Sequence, residues 1–509
     1  MKLKNAFSVW LAAVFVGILV NPVCLAASGP EDNSKPNVLF IAVDDLNDWV
    51  EPLAGHSQAI TPNLSRLAVT GITFTNAHCQ APICNPSRIS LLTGKLPSST
   101  GVYFLSPHLR QCKTTRDLVT LPQYFARNGY ETIGGGKIFH VEGPLEFDSY
   151  GGRFGGFGPR PRLPINCRQA HPLWDWGAFP DSDTKMPDFK LAEWAVQQIK
   201  KPGNRPRFLA VGFYRPHVPM YVPKKWLDRF PLESIKLPEH IANDLLDVSQ
   251  YAQDLSWSSV APRHEWFLKN KGQWQKAVQA YLACTAFVDH QVGKLLDALE
   301  QSGQSDNTIV VLWSDHGFHL GTKERWGKRS LWNAATRVPL IIRGPGIACG
   351  MKCDRPVGLI DLFPTLNDLC GLESMKGIDG RSLKPLLRDP AAKWPYPAIT
   401  TFGPNNHAIE TADWRYITYA DGSQELYDRR TDRFEFRNLI GDPKYQPIVN
   451  HLRHYLPQIN LPMAPGSANL DARPGSEPDI DGKPDFEKMR SRGQQKNRNP
   501  EKTKTSSAN

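Results

Sequence analysis

Three short apolar runs, each broken off by polar side chains able to do chemistry, most constrain what this chain can fold into. Val38-Leu39-Phe40-Ile41-Ala42-Val43 stops at Asp44-Asp45. Phe208-Leu209-Ala210-Val211-Gly212-Phe213 stops at Tyr214-Arg215-Pro216-His217, and Ile309-Val310-Val311-Leu312-Trp313 stops at Ser314-Asp315-His316-Gly317. Runs this short, apolar at successive positions, read as strands buried on both faces, as in a parallel sheet. Pro339-Leu340-Ile341-Ile342 is a fourth run of the same kind. Helical periods lie between them, at Thr61 to Ala68 and Gln273 to Glu300. Strands alternating with helices predict an α/β fold with a large, mostly parallel mixed sheet flanked by helices. Ligands of such sheets gather beyond the carboxyl ends of the strands, so the three polar clusters should converge on one site.

At 509 residues the chain exceeds a single core of roughly 250–300 residues, so a large domain with an appendage is expected. Residues 1–26 join Lys2 and Lys4 to an apolar stretch from Ala6 to Val20 and small residues at Ala26-Ala27-Ser28, the pattern of a secretory signal peptide. That predicts export, to the periplasm or beyond, without a stable membrane anchor. Residues 27–36 read as a polar linker and 37–389 as the catalytic domain. From about Trp394 the grammar changes to an alternating strand at Ala412–Tyr419, a turn at Ala420–Ser423, a strand at Glu425–Asp428, and a helix from Pro443 to Leu456. Residues 390–465 therefore read as a small subdomain with an antiparallel sheet and a helix. Residues 466–509, poor in large apolar groups, read as a disordered tail.

The formal net charge of +10 is modest for this length and lies partly in the two termini. It suits general attraction of a polyanionic sugar; no nucleic-acid-reading module is present. Of nine cysteines, Cys24 falls in the leader. Export permits disulfides among the rest, but setting Cys84 aside leaves an odd number and so at least one free thiol. No C-x-x-C pair suggests a cysteine-rich zinc site.

Adjacent carboxylates such as Asp44 and Asp45 repel unless a cation or a shared proton joins them. Asp315 and His316, at another strand end, add a carboxylate and an imidazole, and the four together suit a divalent cation. Cys84-Asn85-Pro86-Ser87-Arg88 separates cysteine and arginine by three residues, too few for the C-x5-R loop of cysteine phosphatases. It fits C-x-P-S-R instead, followed by Leu91-Leu92-Thr93-Gly94.

On these residues the chain resembles a type I sulfatase of the alkaline-phosphatase-like superfamily, from Asn37 to about Pro457. A second sulfatase signature is matched by Gly129 to His140, and common sulfatase endings by Glu425-Leu426-Tyr427-Asp428 and Arg437-Asn438-Leu439. His316, where many sulfatases have Asn, together with Tyr214 to Pro219 and Gly321 to Lys328, points to the iduronate-2-sulfatase branch. The resemblance implies an alkaline-phosphatase-like fold and Cys84 oxidised to formylglycine by a formylglycine-generating or equivalent enzyme. It implies metal ligation by Asp44, Asp45, Asp315, His316 and the modified Cys84. The ion is Ca²⁺ in most relatives, with Mg²⁺ or another divalent cation open because His316 brings nitrogen. One hydroxyl of the aldehyde hydrate would attack sulfur, and the other would lose its proton as sulfate leaves. Arg88 and Lys137 would hold the hydrate, His140 would be the base, and His217 and Lys328 would grip sulfate, one of them protonating the leaving oxygen. The implied substrate is a sulfated oligo- or polysaccharide, 2-O-sulfated uronic acid above all. Two alternatives stand beside this reading: a phosphatase or phosphonate hydrolase, and a catalytically silent sugar-binding protein. Trp49, His108, Arg110, His171 and Trp326 are candidates for shaping a sugar pocket.

Overall fold

The computed structural model describes residues 35–468 apart from 142, 169, 258 and 259. The expected leader, nearly all of the linker and nearly all of the tail lie outside the described residues. An eight-stranded sheet runs through the molecule in the order Met351–Cys353, Ile72–Phe74, Leu340–Arg343, Thr308–Ser314, Asn37–Val43, Arg207–Phe213, Glu131–Gly136, Ser149–Tyr150. The three runs that end in polar clusters are its adjacent central strands. Asn37–Val43 pairs in parallel with both others, Val43 standing opposite Phe213 on one side and Ser314 on the other. The three clusters therefore leave the sheet at one level.

Alternation along the central strand explains why both faces are apolar. Val38, Phe40 and Ala42 join one core with Leu92, Phe125 and Phe363. Leu39, Ile41 and Val43 join another with Leu191, Val288 and Leu295. The second core is covered by the helices Pro187–Lys200 and Gln273–Gln301, the latter 29 residues long. Each such aliphatic side chain contributes about 1.5–3 kcal/mol when fully buried.

The fourth apolar run departs from expectation, since Leu340–Arg343 runs antiparallel to both of its neighbours. A parallel return needs a crossover to the far end of the sheet. Between Ser314 and Leu340 the chain has the single-turn helix Asn333–Thr336, a short 3-10 turn at Thr322–Glu324 and the two-residue strands His319–Leu320 and Trp326–Gly327. It stays at the carboxyl end and re-enters from there, with Ser314 N–H donating to the Pro339 carbonyl (3.3 Å).

Glu131–Gly136 was legible only as part of a signature, because Gly134-Gly135-Gly136 has no strand propensity. Packing requires those glycines. A Cβ on Gly134 would lie 2.6 Å from the Phe147 ring, and one on Gly212, opposite Gly136, would overlap the backbone of Lys137. Gly136 itself has φ +74, turning the chain so that Lys137 N–H donates to the Gly212 carbonyl (2.7 Å). Gly212→Ala is expected to cost about 1–3 kcal/mol or more through overpacking, visible as a lowered melting temperature, with activity falling further because Lys137 is displaced.

The predicted hairpin is present as Trp414–Thr418 paired with Gln424–Asp428. It extends to a four-stranded antiparallel sheet through His407–Glu410 and Ala398–Thr401, backed by the helix Gln446–Arg453. This sheet grips the segment that follows Lys328. Buried Arg415 donates to the Leu331 carbonyl and pairs with Glu410 (2.6 Å) and Glu435 (3.0 Å), while Trp332 Nε1 donates to Glu425 (2.8 Å). All eight cysteines among the described residues are free thiols.

Candidate active site

Cys84 is the first residue of the helix Cys84–Thr93, every residue of which is buried. Its Sγ lies 3.2 Å from His316 Nε2, 3.6 Å from Asp44 Oδ1, and within reach of two ammonium groups, Lys328 Nζ (3.2 Å) and Lys137 Nζ (3.4 Å). Burial alone would raise the thiol, but Lys137, Lys328 and His316 outweigh it and hold Cys84 well below the usual range. Position 84 is thus built to carry negative charge.

One helical turn on, the fully buried Arg88 ties two strand ends together. Its Nε donates to Asp315 Oδ2 (2.9 Å) and its Nη2 to Asp44 Oδ1 (3.1 Å), while Nη1 donates to the carbonyls of Lys137 and Ile138. Ser87 Oγ donates to the Asp315 carbonyl (2.5 Å). Burial would raise Asp44, yet Lys137 at 2.5 Å, His217 and Arg88 keep its carboxyl below the ordinary range.

The chemistry of the donor set fits a hard divalent cation. One ligand atom from each of Asp44, Cys84, Asp315 and His316 lies within 4.8 Å of all the others, and the same holds for Asp44, Asp45, Cys84 and His217. Asp45 leaves its strand at φ +61, its N–H donating to Asp315 Oδ1 (3.1 Å). Its Oδ2 is buried without a hydrogen-bond partner, as a ligand oxygen would be. His316 Nδ1 lies 3.0 Å from the Gly317 carbonyl, which fixes the Nδ1–H tautomer and aims the Nε2 lone pair at the cluster. Burial pushes the Asp315 carboxyl up despite Arg88 and His316.

The remaining predicted residues surround the same sulfur. Lys328 Nζ donates to Asp45 Oδ1 (2.6 Å). His217 presents Nε2 3.8 Å from Asp45 Oδ2, with Nδ1 on the Val218 carbonyl (2.5 Å). Its place is fixed by Asp188, which accepts from the Tyr214 and Arg215 amides at 2.7 and 3.0 Å. His140 bonds to Cys84 and packs beside His108, ring centres 5.9 Å apart.

Phe157 escaped the sequence reading. It stacks on His217 (4.3 Å) and lies 4.8 Å from Lys137 Nζ, walling the pocket. With Phe154 it is one of two aromatics in the glycine-rich stretch 151–158, which has no period to announce either, and the only signal was that clustering of glycines.

Of the candidates for shaping a sugar pocket, only His108 is placed beside a predicted site residue. Trp326 stacks on Phe267 (3.4 Å) inside an aromatic core, and Trp49 packs edge-on to Tyr281. Arg110 forms a bidentate pair with Glu146 at 2.7 and 2.6 Å, and His171 accepts from the Leu173 amide within its own loop. Trp49 and Trp326 each also line a cavity, Trp49 with His56 and Phe318, Trp326 with Trp257 and Arg325.

The comparisons with known proteins agree with this geometry. The Sulfatase family model matches residues 36–372, and a model described as N-sulphoglucosamine sulphohydrolase, C-terminal, matches 321–461. A sulfatase of Formosa agariphila is 43% identical over 442 residues, covering 84% of this chain and 87% of that protein. Human iduronate 2-sulfatase is 32% identical over 413 residues, covering 71% and 74%. A solved structure of a protein in complex with its substrate D-glucosamine-2-N,6-O-disulfate superposes with a TM-score of 0.66, covering 83% of this chain and 96% of the other, at 23% identity, a likeness of fold. With its polar strand ends gathered around Cys84 on an alkaline-phosphatase-like sheet, the chain belongs to the sulfatase family.

Proposed function

We propose that this sulfatase is exported and removes O-sulfate from carbohydrate, 2-O-sulfated uronic acid or related polysaccharide fragments, using a formylglycine made from Cys84 by a maturation enzyme. The observation that carries this is the enclosure of position 84 by two lysines, an imidazole and a carboxylate, all within 3.6 Å of its sulfur. Kinship with an iduronate 2-sulfatase supports the sugar. Asp44, Asp45, Asp315 and His316, with residue 84, are the groups that would hold the cation. A divalent ion there supplies Lewis-acid polarisation, and the aldehyde hydrate supplies the nucleophilic hydroxyl.

The side chains divide the remaining work. Lys137 and Lys328 flank residue 84 and offset negative charge gathering on sulfate oxygens in the transition state. His140 stands where it can take a proton from a hydroxyl at residue 84. The Val218 carbonyl keeps the Nδ1 proton of His217 in place, so a second proton on Nε2 makes it an acid facing the pocket. His217→Gln is accordingly expected to slow hydrolysis of a sugar sulfate by about 10²–10⁴-fold. An aryl sulfate, whose leaving group needs no proton, should lose far less; equal losses on both esters would remove His217 from the acid's role. Among the described residues no helix is long and apolar enough to cross a membrane.

A desulfation screen over defined sulfated oligosaccharides, with paired kinetics on an aryl sulfate and its phosphate counterpart, tests the proposal. Preference for sulfate is expected. Preference for phosphate, or binding without turnover in protein that carries the aldehyde and the metal, would overturn it.

A further inference from the structure

Segment 151–168 carries Arg153, Arg160, Arg162 and Arg168 and no aspartate or glutamate. Its first half is fastened to the catalytic pocket. Arg153 Nη1 donates to the His140 carbonyl (3.0 Å), Phe157 stacks on His217, and Arg215 Nη2 reaches the Gly158 carbonyl at 3.5 Å. Pro159, two residues past Phe157, lines a separate groove of about 780 Å³ walled also by Phe179, Lys190, Lys224 and Lys225. Two residues of extended chain span at most about 7 Å, so at Pro159 the groove comes within that reach of Phe157.

The groove's charge is not used up internally. Lys185, Lys224 and Lys225 are each paired, with Asp181 (2.8 Å), Asp228 (2.5 Å) and Asp183 (2.7 Å). Arg160, Arg162 and Lys190 are exposed, and among the described residues none of the three forms an ion pair. Pro159, Pro161 and Pro164 fix backbone angles around the two arginines, which lowers the ordering cost of presenting them to a ligand. Unpaired cations at the end of a pocket wall select a ligand with anionic groups beyond the one being cleaved.

We infer that this groove is a second anion-recognition site, receiving neighbouring sugars of a sulfated polysaccharide whose scissile sulfate lies at residue 84, with Lys190 on its wall and Arg160 and Arg162, which follow the lining residue Pro159 in the chain, reading their sulfate or carboxylate groups. The inference rests on the sulfatase reading of the pocket. It makes the enzyme selective for oligomers over single sugars, with an affinity that falls as salt rises.

Two measurements on the full chain test it. In Cys84→Ala protein, binding of a fluorescent sulfated uronate-containing hexasaccharide is followed by anisotropy over a range of salt. Adding Arg160→Ala, Arg162→Ala and Lys190→Ala is expected to weaken binding about tenfold or more and to flatten the salt dependence. Lys190→Glu alone, on an exposed helix position, should act in the same direction. In protein with Cys84 intact, the same triple change should lower the ratio of kcat/KM on the hexasaccharide to that on a single-sugar sulfate about tenfold. Indistinguishable hexasaccharide binding with and without the triple change would overturn the inference, as would equal affinity of the groove for single-stranded DNA of matched charge. Failure of the sulfatase reading is recognised separately, as absent turnover of both esters by otherwise unsubstituted protein.

Discussion

Replacing Cys84 with alanine is expected to lower turnover of every sulfate ester by about 10⁴-fold or more, the scale on which covalent catalysis is lost with its nucleophile. The fold should survive. Cys84 opens a buried helix, but its sulfur meets groups of the site: Asp44, His316, Lys137, Lys328 and His140. Four of them keep another partner when the sulfur goes, Lys137 on Asp44, Lys328 on Asp45, Asp44 on Arg88 and His316 on the Gly317 carbonyl. Thermal melts of the two proteins should therefore nearly coincide while rates on an aryl sulfate separate. A variant retaining more than a hundredth of the starting rate would show that residue 84 does not supply the nucleophile.

Arg88→Met is expected to act on stability as strongly as on rate. The guanidinium is fully buried between Asp44 and Asp315 and serves two backbone carbonyls, so its removal leaves the buried Asp315 carboxylate without its guanidinium partner and Asp44 with Lys137 as its remaining cation. Orphaning a buried charge costs about 3–5 kcal/mol, although the intact pair by itself would contribute far less. The Asp44 carboxyl, which Arg88 helps hold below its ordinary range, should rise in consequence, weakening any cation bound there. Denaturant unfolding at fixed metal concentration measures the first effect and metal titration the second. Arg88→Lys keeps the charge but not the fork and should fall between the two. A loss below about 1 kcal/mol would mean that the strand ends are held together by something other than Arg88.

Much of this was legible because strand period and chemistry coincide. Asp44, His217 and Asp315 follow apolar runs that can only be buried strands, and a parallel sheet delivers such ends to one edge. Where the two signals part, the reading weakened. Leu340–Arg343 looks like its neighbours, yet its direction is set by a connection that never crosses the sheet, which residue composition does not record. The second half of Glu131–Gly136 is glycine because close approach of Phe147, Trp194 and Gly212 leaves no room for side chains at Gly134, Gly135 and Gly136. Trp326 and Trp49 pack on aromatic neighbours, and Phe157, unmarked in sequence, is the ring that stacks on His217. Contacts between distant loops decide such cases.

The central claim is that the nucleophile at position 84 is made after translation, and mass spectrometry of the peptide spanning Cys84, from active enzyme produced in its native host, tests it most directly. The thiol is expected to have been replaced by an aldehyde, confirmed by capture with a hydrazide. An intact cysteine in protein that turns over a sulfate ester would contradict it.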